Sequence, residues 1–383
     1  MIKDKAAIAG ISQSAFSKSL EQSELRLACQ VVSDALLDAG ISPEEVDGLA
    51  SYTMETTSDF ELAKNLGFGE LSFFAQTPHG GGGGPATIGL LAMAVATGQC
   101  KVGVAWRSRK RGAPDSRVWA NRAASAGLVT AANWSRPWGV LRPVDEIALL
   151  TARYFHETGA SRNHLAKVAL NAREMANNNP LAMMYDKVLT REKYFDARWI
   201  SQPLCLFDNC LESDGAAAVV ITSTERARDC RHRPVKIHAY GQGLSRQSHS
   251  MIDFFSENPM YGSSDSCARM LYQHSDIKPA DVDVAQIYDA FTSLVLFSLE
   301  AYGFCSKGEA ASYIDQNGLG LNSPMPVNTA GGGLSEAYIH GFNLITEGVK
   351  QLRGTACNQV DSASTCLVTG GGCSPTSAII LRS

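Results

Sequence analysis

A chain of 383 residues with ordinary apolar content and few prolines is globular, and long enough for one large domain or two of usual size. A formal charge of −4 excludes nucleic acid as the main partner, and no apolar run reaches the length of a membrane span. The opening MIKDKAAIAGIS turns straight into a strand-like segment, without the apolar core or cleavage site of a signal peptide, so a cytoplasmic setting is expected. The ten cysteines form no CxxC pair, and Cys205 and Cys210 stand apart from other cysteine or histidine clusters. Reduced, buried thiols are therefore expected, with no metal site.

In chain order, the first clear element is a helix from about Glu24 to Ala39. Leu27, Val31, Val32, Ala35 and Leu36 form its apolar stripe, Ser23 its N-cap and Gly40 its stop. ISPEEVDGLASY (41–52) then makes a turn and feeds a short strand. His79 to Gln99 is a glycine-rich turn, HGGGGG, followed by an apolar helix. The basic run RSRKR (107–111) reads as a solvated or interfacial charge cluster. DGAAAVVITS (214–223) closes the first half as a strand. The same order then recurs. A helix lies around Ser264 to Gln273, IKPADVDVAQIY (277–288) repeats the P-x-x-V-D turn and strand, and Asn328 to Arg353 is a second glycine-rich turn, NTAGGG, leading into a helix. TSAIILRS (376–383) is the second closing strand. The repeat divides the chain into an N-terminal half, 1–225, and a C-terminal half, 235–383. It implies an α/β fold of stacked layers with mixed sheets between helices. Residues from about 112 to 202 have no counterpart in the second half and read as a large insertion that forms a binding loop or lid.

Three loops attract chemistry. The glycines after His79 let a backbone pass very close to another group. They also aim successive N–H groups at a helix N-terminus, which suits a thioester oxygen; a tight helix–helix or dimer contact would use them equally well. No GK[ST] follows, so this is not a phosphate loop. In QIYDAFTS (286–293), Tyr288 is a candidate proton donor or acceptor oriented by Asp289; alternatively Tyr288 packs in the core and Asp289 caps the next helix. In NTAGGGLSEAYIHG (328–341), Ser335 reads as a helix N-cap, and Tyr338 and His340 fall within the first turns as acid–base candidates.

These segments together resemble the thiolase superfamily, in particular its sterol carrier protein X and lipid-transfer-protein-like branch. The likeness spans essentially the whole chain and is carried by ESDGAAAVVITS (212–223), YDAFTS (288–293), NTAGGGLSEAYIHG (328–341) and VTGGGCSPTSAIIL (368–381). It implies a five-layer αβαβα thiolase fold made of two similar halves. The departures are informative. The region of the thiolase nucleophile is Gly80 to Gly84, without cysteine. The two catalytic histidine positions hold Tyr338 and Tyr288, and the second thiolase cysteine position holds Val368. A covalent acyl-enzyme is therefore not expected. Tyrosine at both positions is similar to thiolase-like steroid aldolases, which implies retro-aldol cleavage of a β-hydroxyacyl-CoA to a steroid ketone or aldehyde plus propionyl-CoA or acetyl-CoA. No separate cofactor is expected, since coenzyme A belongs to the substrate. The site residues so implied are Tyr288, Tyr338, His340 and Asp289 for proton transfer, with His79, Gly80, Gly81, Gly82, Gly332 and Gly333 around the substrate oxygen. Tyr338 would act on the hydroxyl, its phenolate stabilised by His340 and the helix start near Ser335, and Tyr288 would protonate the enolate. RSRKR has coenzyme A phosphates as an alternative partner. A homodimer and an OB-fold partner with a zinc-ribbon element are also implied. A non-catalytic acyl-CoA or sterol-binding subunit and a residual Claisen-type acyltransferase are the competing functions.

Overall fold

In the computed structural model, which describes residues 2–78, 80–111, 135–245, 256–372 and 376–383, both halves of the chain build one sheet plan. The strands are β1 (Ala6–Gln13), β2 (Gly48–Tyr52), β3 (Phe73–Thr77), β4 (Val102–Arg109), β5 (Trp199–Ser201), β6 (Leu204–Cys205), β7 (Gly215–Ser223), β8 (Val235–Gly243), β9 (Val284–Gln286), β10 (Thr365–Gly370) and β11 (Thr376–Arg382). Nine of them run in the order β3-β2-β4-β7-β1-β8-β11-β10-β9. In the first half β2 is parallel to β3 and β4, and β7 and β1 follow antiparallel. In the second half β9 is parallel to β10, and β11 and β8 follow antiparallel. The backbone around Val327 pairs with Ala285 in the place that β3 takes in the first half. The half-sheets join where Ala7 and Ile8 meet Lys236 and Val235.

Five layers result. Helix α1 (Glu24–Ala39), with the short α2 (Asp59–Leu66) against it, covers the outer face of the first half-sheet, and α6 (Gly262–Gln273) that of the second. Between the half-sheets lie α3 (Gly83–Ala96) and α8 (Phe342–Arg353), each touching both. A helix in a middle layer has no solvent face. This explains why α3 reads GGPATIGLLAMAVA, small or apolar all round, with Met93 its one markedly exposed side chain. Helix α1, by contrast, buries one face, the stripe read from its sequence together with Ala28 and Ala39. It is capped by Ser23, whose Oγ accepts from the Arg26 N–H at 3.2 Å, and ended by Gly40 at φ 72°.

The described part of the insertion is mainly helical and ends in β5. Helices α4 (Pro143–Thr158) and α5 (Arg162–Asn177) pack beside α7 (Thr292–Ala301) and the turn at Gly332–Glu336. Residues 112–134 of the expected loop or lid lie outside the described residues. The described cysteines are free thiols, and no group of three or more His, Cys, Asp and Glu that would suit a metal occurs among the described residues. No described helix is long and apolar enough to cross a membrane.

The repeated P-x-x-V-D motif has one job in both halves. Pro43–Glu45 and Pro279–Asp281 are single 3₁₀ turns that bury Val46 and Val282. The aspartate that follows then captures the start of a neighbouring strand. Asp47 accepts from the N–H groups of Lys101 and Val102 at 2.8 and 2.9 Å, ahead of β4. Asp283 accepts from those of Ser364 and Thr365, both at 2.9 Å, ahead of β10. Burial pushes the Asp283 carboxyl up, but the hydrogen bonds from Ser364 and Thr365 outweigh it and hold the group below its usual range. A carboxyl depressed in the folded state stabilises the fold above its unfolded value, near pH 4, and loses that contribution as pH falls through the folded value. Asp283→Asn should therefore lower stability at pH 7 by about 1–2 kcal/mol. Denaturant midpoints of the two proteins should converge below pH 3; an equal gap at both pH values would contradict this account.

Candidate active site

The repeat delivers matched strand ends to one place. Tyr52 ends β2 and Tyr288 follows β9, eleven residues after Ile41 and Ile277 respectively. Across them lie the start of α3 and the Asn328–Gly341 segment. Tyr288 is pinned by its N–H to Thr369 Oγ1 at 2.9 Å, and Tyr338 by its N–H to Ser213 Oγ at 2.9 Å. The two hydroxyls meet at 2.5 Å. Both rings are buried. The His340 ring stands edge-on to that of Tyr338, with centroids 5.3 Å apart. Its Nδ1 lies 3.2 Å from the Tyr52 hydroxyl and 3.3 Å from Arg107 Nη2.

The glycine turn is shaped by these rings. A Cβ on Gly81 would overlap the Tyr288 hydroxyl, and one on Gly83 would lie 2.9 Å from the Tyr52 ring. A Cβ on Gly80 would come within 2.8 Å of Met54 Sδ and 3.8 Å of His340 Nε2. The Gly82 carbonyl accepts from Ser377 Oγ, and the Gly83 N–H closes a turn onto the Gly80 carbonyl at 2.9 Å. Among the described residues no acceptor faces the N–H of Gly81 or Gly82. His79 lies outside the described residues.

Several assignments made from the sequence change. Asp289 does not touch the Tyr288 hydroxyl and does not cap the next helix. Its carboxylate turns to the other glycine loop and accepts from the N–H groups of Gly333 at 2.7 Å and Leu334 at 3.2 Å. Burial pushes its pKa up to about 7 against those hydrogen bonds. Gly333 thus spends its N–H on Asp289, and a Cβ on Gly332 would overlap the same carboxylate. Ser335 is not an N-cap. It sits inside a π-turn, Gly332–Glu336, and accepts from Arg173 Nε of α5 at 3.2 Å. Tyr338 and His340 precede α8 instead of starting it, so a helix dipole near Ser335 does not act on Tyr338.

The basic run is also reassigned. Alternation along β4 sends Arg107 and Arg109 to the site instead of to solvent, and Arg111, just beyond the strand, joins them. Arg107 is fully buried against Glu55 at 3.0 Å and lies over the Tyr52 ring at 4.9 Å. Arg111 lies over the Tyr338 ring at 5.3 Å. Arg109 is largely desolvated beside the other two cations, which lowers its pKa to about 10. The cations separate the two phenols. Burial raises both, Tyr288 well above the ordinary value. Tyr338 rises only to about 12, because Arg111, a hydrogen bond from Tyr288 and Arg109 favour its phenolate. His340 is held well below its usual value by burial and then by Arg107, Arg109 and Arg111, so it is neutral and does not supply positive charge to Tyr338.

Sequence reasoning missed Tyr52, Glu55, the arginines and Cys210. The repeat itself was a signal for Tyr52, which occupies the Tyr288 register. Cys210 is half-buried near both phenols, its N–H bonded to the Ala290 carbonyl at 2.9 Å. Burial pushes its thiol up to about 12, so it is no thiolate at neutral pH. Cys366 is buried in β10 against Gly348, and Cys373 lies outside the described residues.

With this geometry, likeness to known proteins becomes interpretable. Residues 242–382 match the family described as thiolase C-terminal domain-like. A 17-hydroxy-3-oxo-4-pregnene-20-carboxyl-CoA lyase of Mycobacterium tuberculosis is 43% identical, covering 100% of both chains. The chain belongs to the thiolase-like steroid aldolase family. A steroid side-chain-cleaving aldolase of Thermomonospora curvata is 42% identical over 98% of this chain and 97% of its own. Among solved structures, the Ltp2-ChsH2(DUF35) aldolase superposes with a TM-score of 0.93 at 40% identity, covering 100% of this chain and 98% of that one. The five-layer thiolase fold expected from the sequence is thus the fold observed.

A protonated Cys210 beside a tyrosine pair predicts chemistry without an acyl-enzyme. Cys210→Ser should keep turnover within a few-fold of the native protein, and intact-mass spectra taken during turnover should show no acyl adduct. An acyl group on any cysteine would contradict the assignment.

Proposed function

We propose that the protein cleaves the Cα–Cβ bond of a β-hydroxyacyl-CoA by a retro-aldol reaction, with Tyr338 and Tyr288 as a proton-relay pair. The observation that carries the reading is the 2.5 Å contact between their hydroxyls, in a family whose members are named lyase and aldolase. Tyr338, the more acidic phenol, is the member of the pair that ionises more readily, and as the phenolate it takes the β-hydroxyl proton as the Cα–Cβ bond breaks. The bonding pair becomes the enolate of the departing acyl-CoA, and the carbinol carbon becomes a carbonyl. Tyr288 then protonates Cα. It is left as the phenolate, and the proton held by Tyr338 crosses the short hydrogen bond and resets the pair. No proton is gained or lost overall, which is why the hydroxyls must touch. An isolated tyrosine is a poor base near pH 7, its ordinary pKa being about 10. Bond cleavage concerted with proton transfer, with Arg109 and Arg111 nearby, makes the step accessible.

The N–H groups of Gly81 and Gly82, at the positive end of α3, are placed for the thioester oxygen as it becomes the enolate oxygen. The 43% identical relative points to a 17-hydroxy steroid carrying a 20-carboxyl-CoA side chain. Cleavage of that arrangement gives a 17-ketone and propionyl-CoA. The name of the solved Ltp2-ChsH2(DUF35) aldolase supports assembly with a second protein, which we assign to an OB-fold with a zinc-ribbon element. A homodimer and a cytoplasmic location, where coenzyme A thioesters are made, complete the proposal.

Incubated with such a substrate and its partner protein, the enzyme should release free propionyl-CoA in step with the steroid ketone. Tight binding of the thioester without release would favour the non-catalytic subunit. Tyr288→Phe and Tyr338→Phe keep the rings and remove the hydroxyls. Each should lower kcat by about two orders of magnitude or more, with folding unchanged by circular dichroism. Near-native turnover of both variants would make the tyrosines core residues and remove the mechanism.

A further inference from the structure

We propose that the buried Arg107–Glu55 pair is a positioning device that fixes His340 as the Nε2–H tautomer, making it a hydrogen-bond donor to the substrate's thioester oxygen. The donor role rests on the retro-aldol reading; the tautomer assignment does not.

Two donors converge on Nδ1 of His340. Arg107 Nη2 lies 3.3 Å away and the Tyr52 hydroxyl 3.2 Å. A guanidinium has only donors, so Nδ1 must present its lone pair and the ring proton must sit on Nε2. A proton on Nδ1 would face a cation that is unable to move. Arg107 is clamped on its other side, where Nη1 donates to the Met54 carbonyl at 2.8 Å and to Glu55 at 3.0 Å. Glu55 is itself held by the N–H groups of Thr57 at 3.0 Å and Ser108 at 2.8 Å and by the Ser108 hydroxyl at 2.8 Å. Side chains of both ion-pair partners are essentially inaccessible, at 1% and 0% exposure. Such a pair costs desolvation that an apolar pair would avoid, so it is weak as a purely stabilising device. Its ability to hold a fixed donor at Nδ1 gives it a use.

The other end of the ring borders the glycine turn. A Cβ on Gly80 would sit 3.8 Å from both Cε1 and Nε2 of His340, so Nε2 lies beside the same turn in which the N–H groups of Gly81 and Gly82 face no acceptor among the described residues. His340 is held there at φ 56°, a left-handed conformation costly for a non-glycine residue and often maintained at functional positions. The groups facing the ring are Tyr52 from β2, Arg107 and Arg109 from β4, Arg111 just beyond it and Tyr338 from its own segment, with Glu55 behind Arg107. Gly80 to Gly84 bring no charge. This surrounding field is positive, which keeps the imidazole neutral and makes its Nε2–H, and not an acid, the group offered to the oxyanion.

The test is nitrogen-15 NMR of histidine-labelled full-length protein, alone and with its partner, with the His340 signal assigned by loss in His340→Gln. The native protein should show His340 as a neutral Nε2–H tautomer that does not titrate between pH 5.5 and 8. An Nδ1–H tautomer, or titration near pH 6.5, overturns the proposal on the native spectrum alone. Arg107→Met should let His340 titrate and exchange tautomers. Its kcat should fall by about a hundredfold, the scale of losing one oxyanion donor, with KM nearly unchanged and a new acidic limb in the pH profile. Arg107→Lys, which keeps a cationic donor, should restore the neutral tautomer at least in part. A folded Arg107→Met protein with the native tautomer and pH profile would overturn the role given to the ion pair. Should the tyrosine variants prove active while the tautomer is as stated, the retro-aldol reading fails and the histidine assignment stands.

Discussion

Two phenol hydroxyls in contact, carried by strand and loop segments fifty residues apart, are the constraint on which the site depends. They meet only because a glycine backbone crosses directly above them. A methyl group at Gly81 would occupy the space of the Tyr288 hydroxyl, and one at Gly83 would press on the Tyr52 ring. Most of the site's architecture keeps those two rings in place. Thr369 and Ser213 hold their backbone N–H groups, Asp289 ties the Gly333–Leu334 turn beneath Tyr338, and the insertion helix α5 braces that turn through Arg173 and Ser335. The site is thus a meeting of both halves and the insertion. A single half would not form it.

Electrostatics then divides the work. Burial alone would make both phenols too weakly acidic to exchange protons near neutrality. The arginines on β4 and just beyond it break the symmetry, because Arg111 lies over Tyr338 and the three cations also keep His340 neutral. Arg107 is neutralised by Glu55, and the Nε groups of Arg107, Arg109 and Arg111 are all buried with no hydrogen-bond partner among the described residues. Positive charge beside Tyr338 suits a reaction that develops negative charge on a phenolate and an enolate oxygen. The same field explains why a nearby thiol is not needed. Retro-aldol cleavage forms no acyl-enzyme, and Cys210 stays protonated.

Much of this was legible in the sequence because the signals were local or repeated. The stripe, cap and stop of α1, the all-apolar α3, both closing strands and the P-x-x-V-D turn each appear where periodicity and turn chemistry put them. The two tyrosines were legible as residues standing where thiolases carry histidines. What failed was non-local. RSRKR looks like a solvated charge run in one dimension; only its place at the end of β4 and just beyond makes its arginines part of the site. Asp289 follows Tyr288 in sequence, but its carboxylate goes to a glycine turn more than forty residues away. Ser335 fits the residue preference of an N-cap, yet the chain makes a π-turn there, and the helix waits for Gly341. Tyr52 shares the register of Tyr288 in the repeat. Pairing the two required knowing that both strand ends face one cavity.

The central claim is that Tyr338 is the base and Tyr288 the acid of one connected pair. Its most direct test is site-specific replacement of Tyr338 by a fluorinated tyrosine, which keeps the ring and hydroxyl but makes the phenol more acidic. The pH dependence of kcat for acyl-CoA release should then move to lower pH by the acidity gained, while the same replacement at Tyr288 should not move it in that direction. A pH profile unchanged by fluorination at Tyr338 would contradict the account.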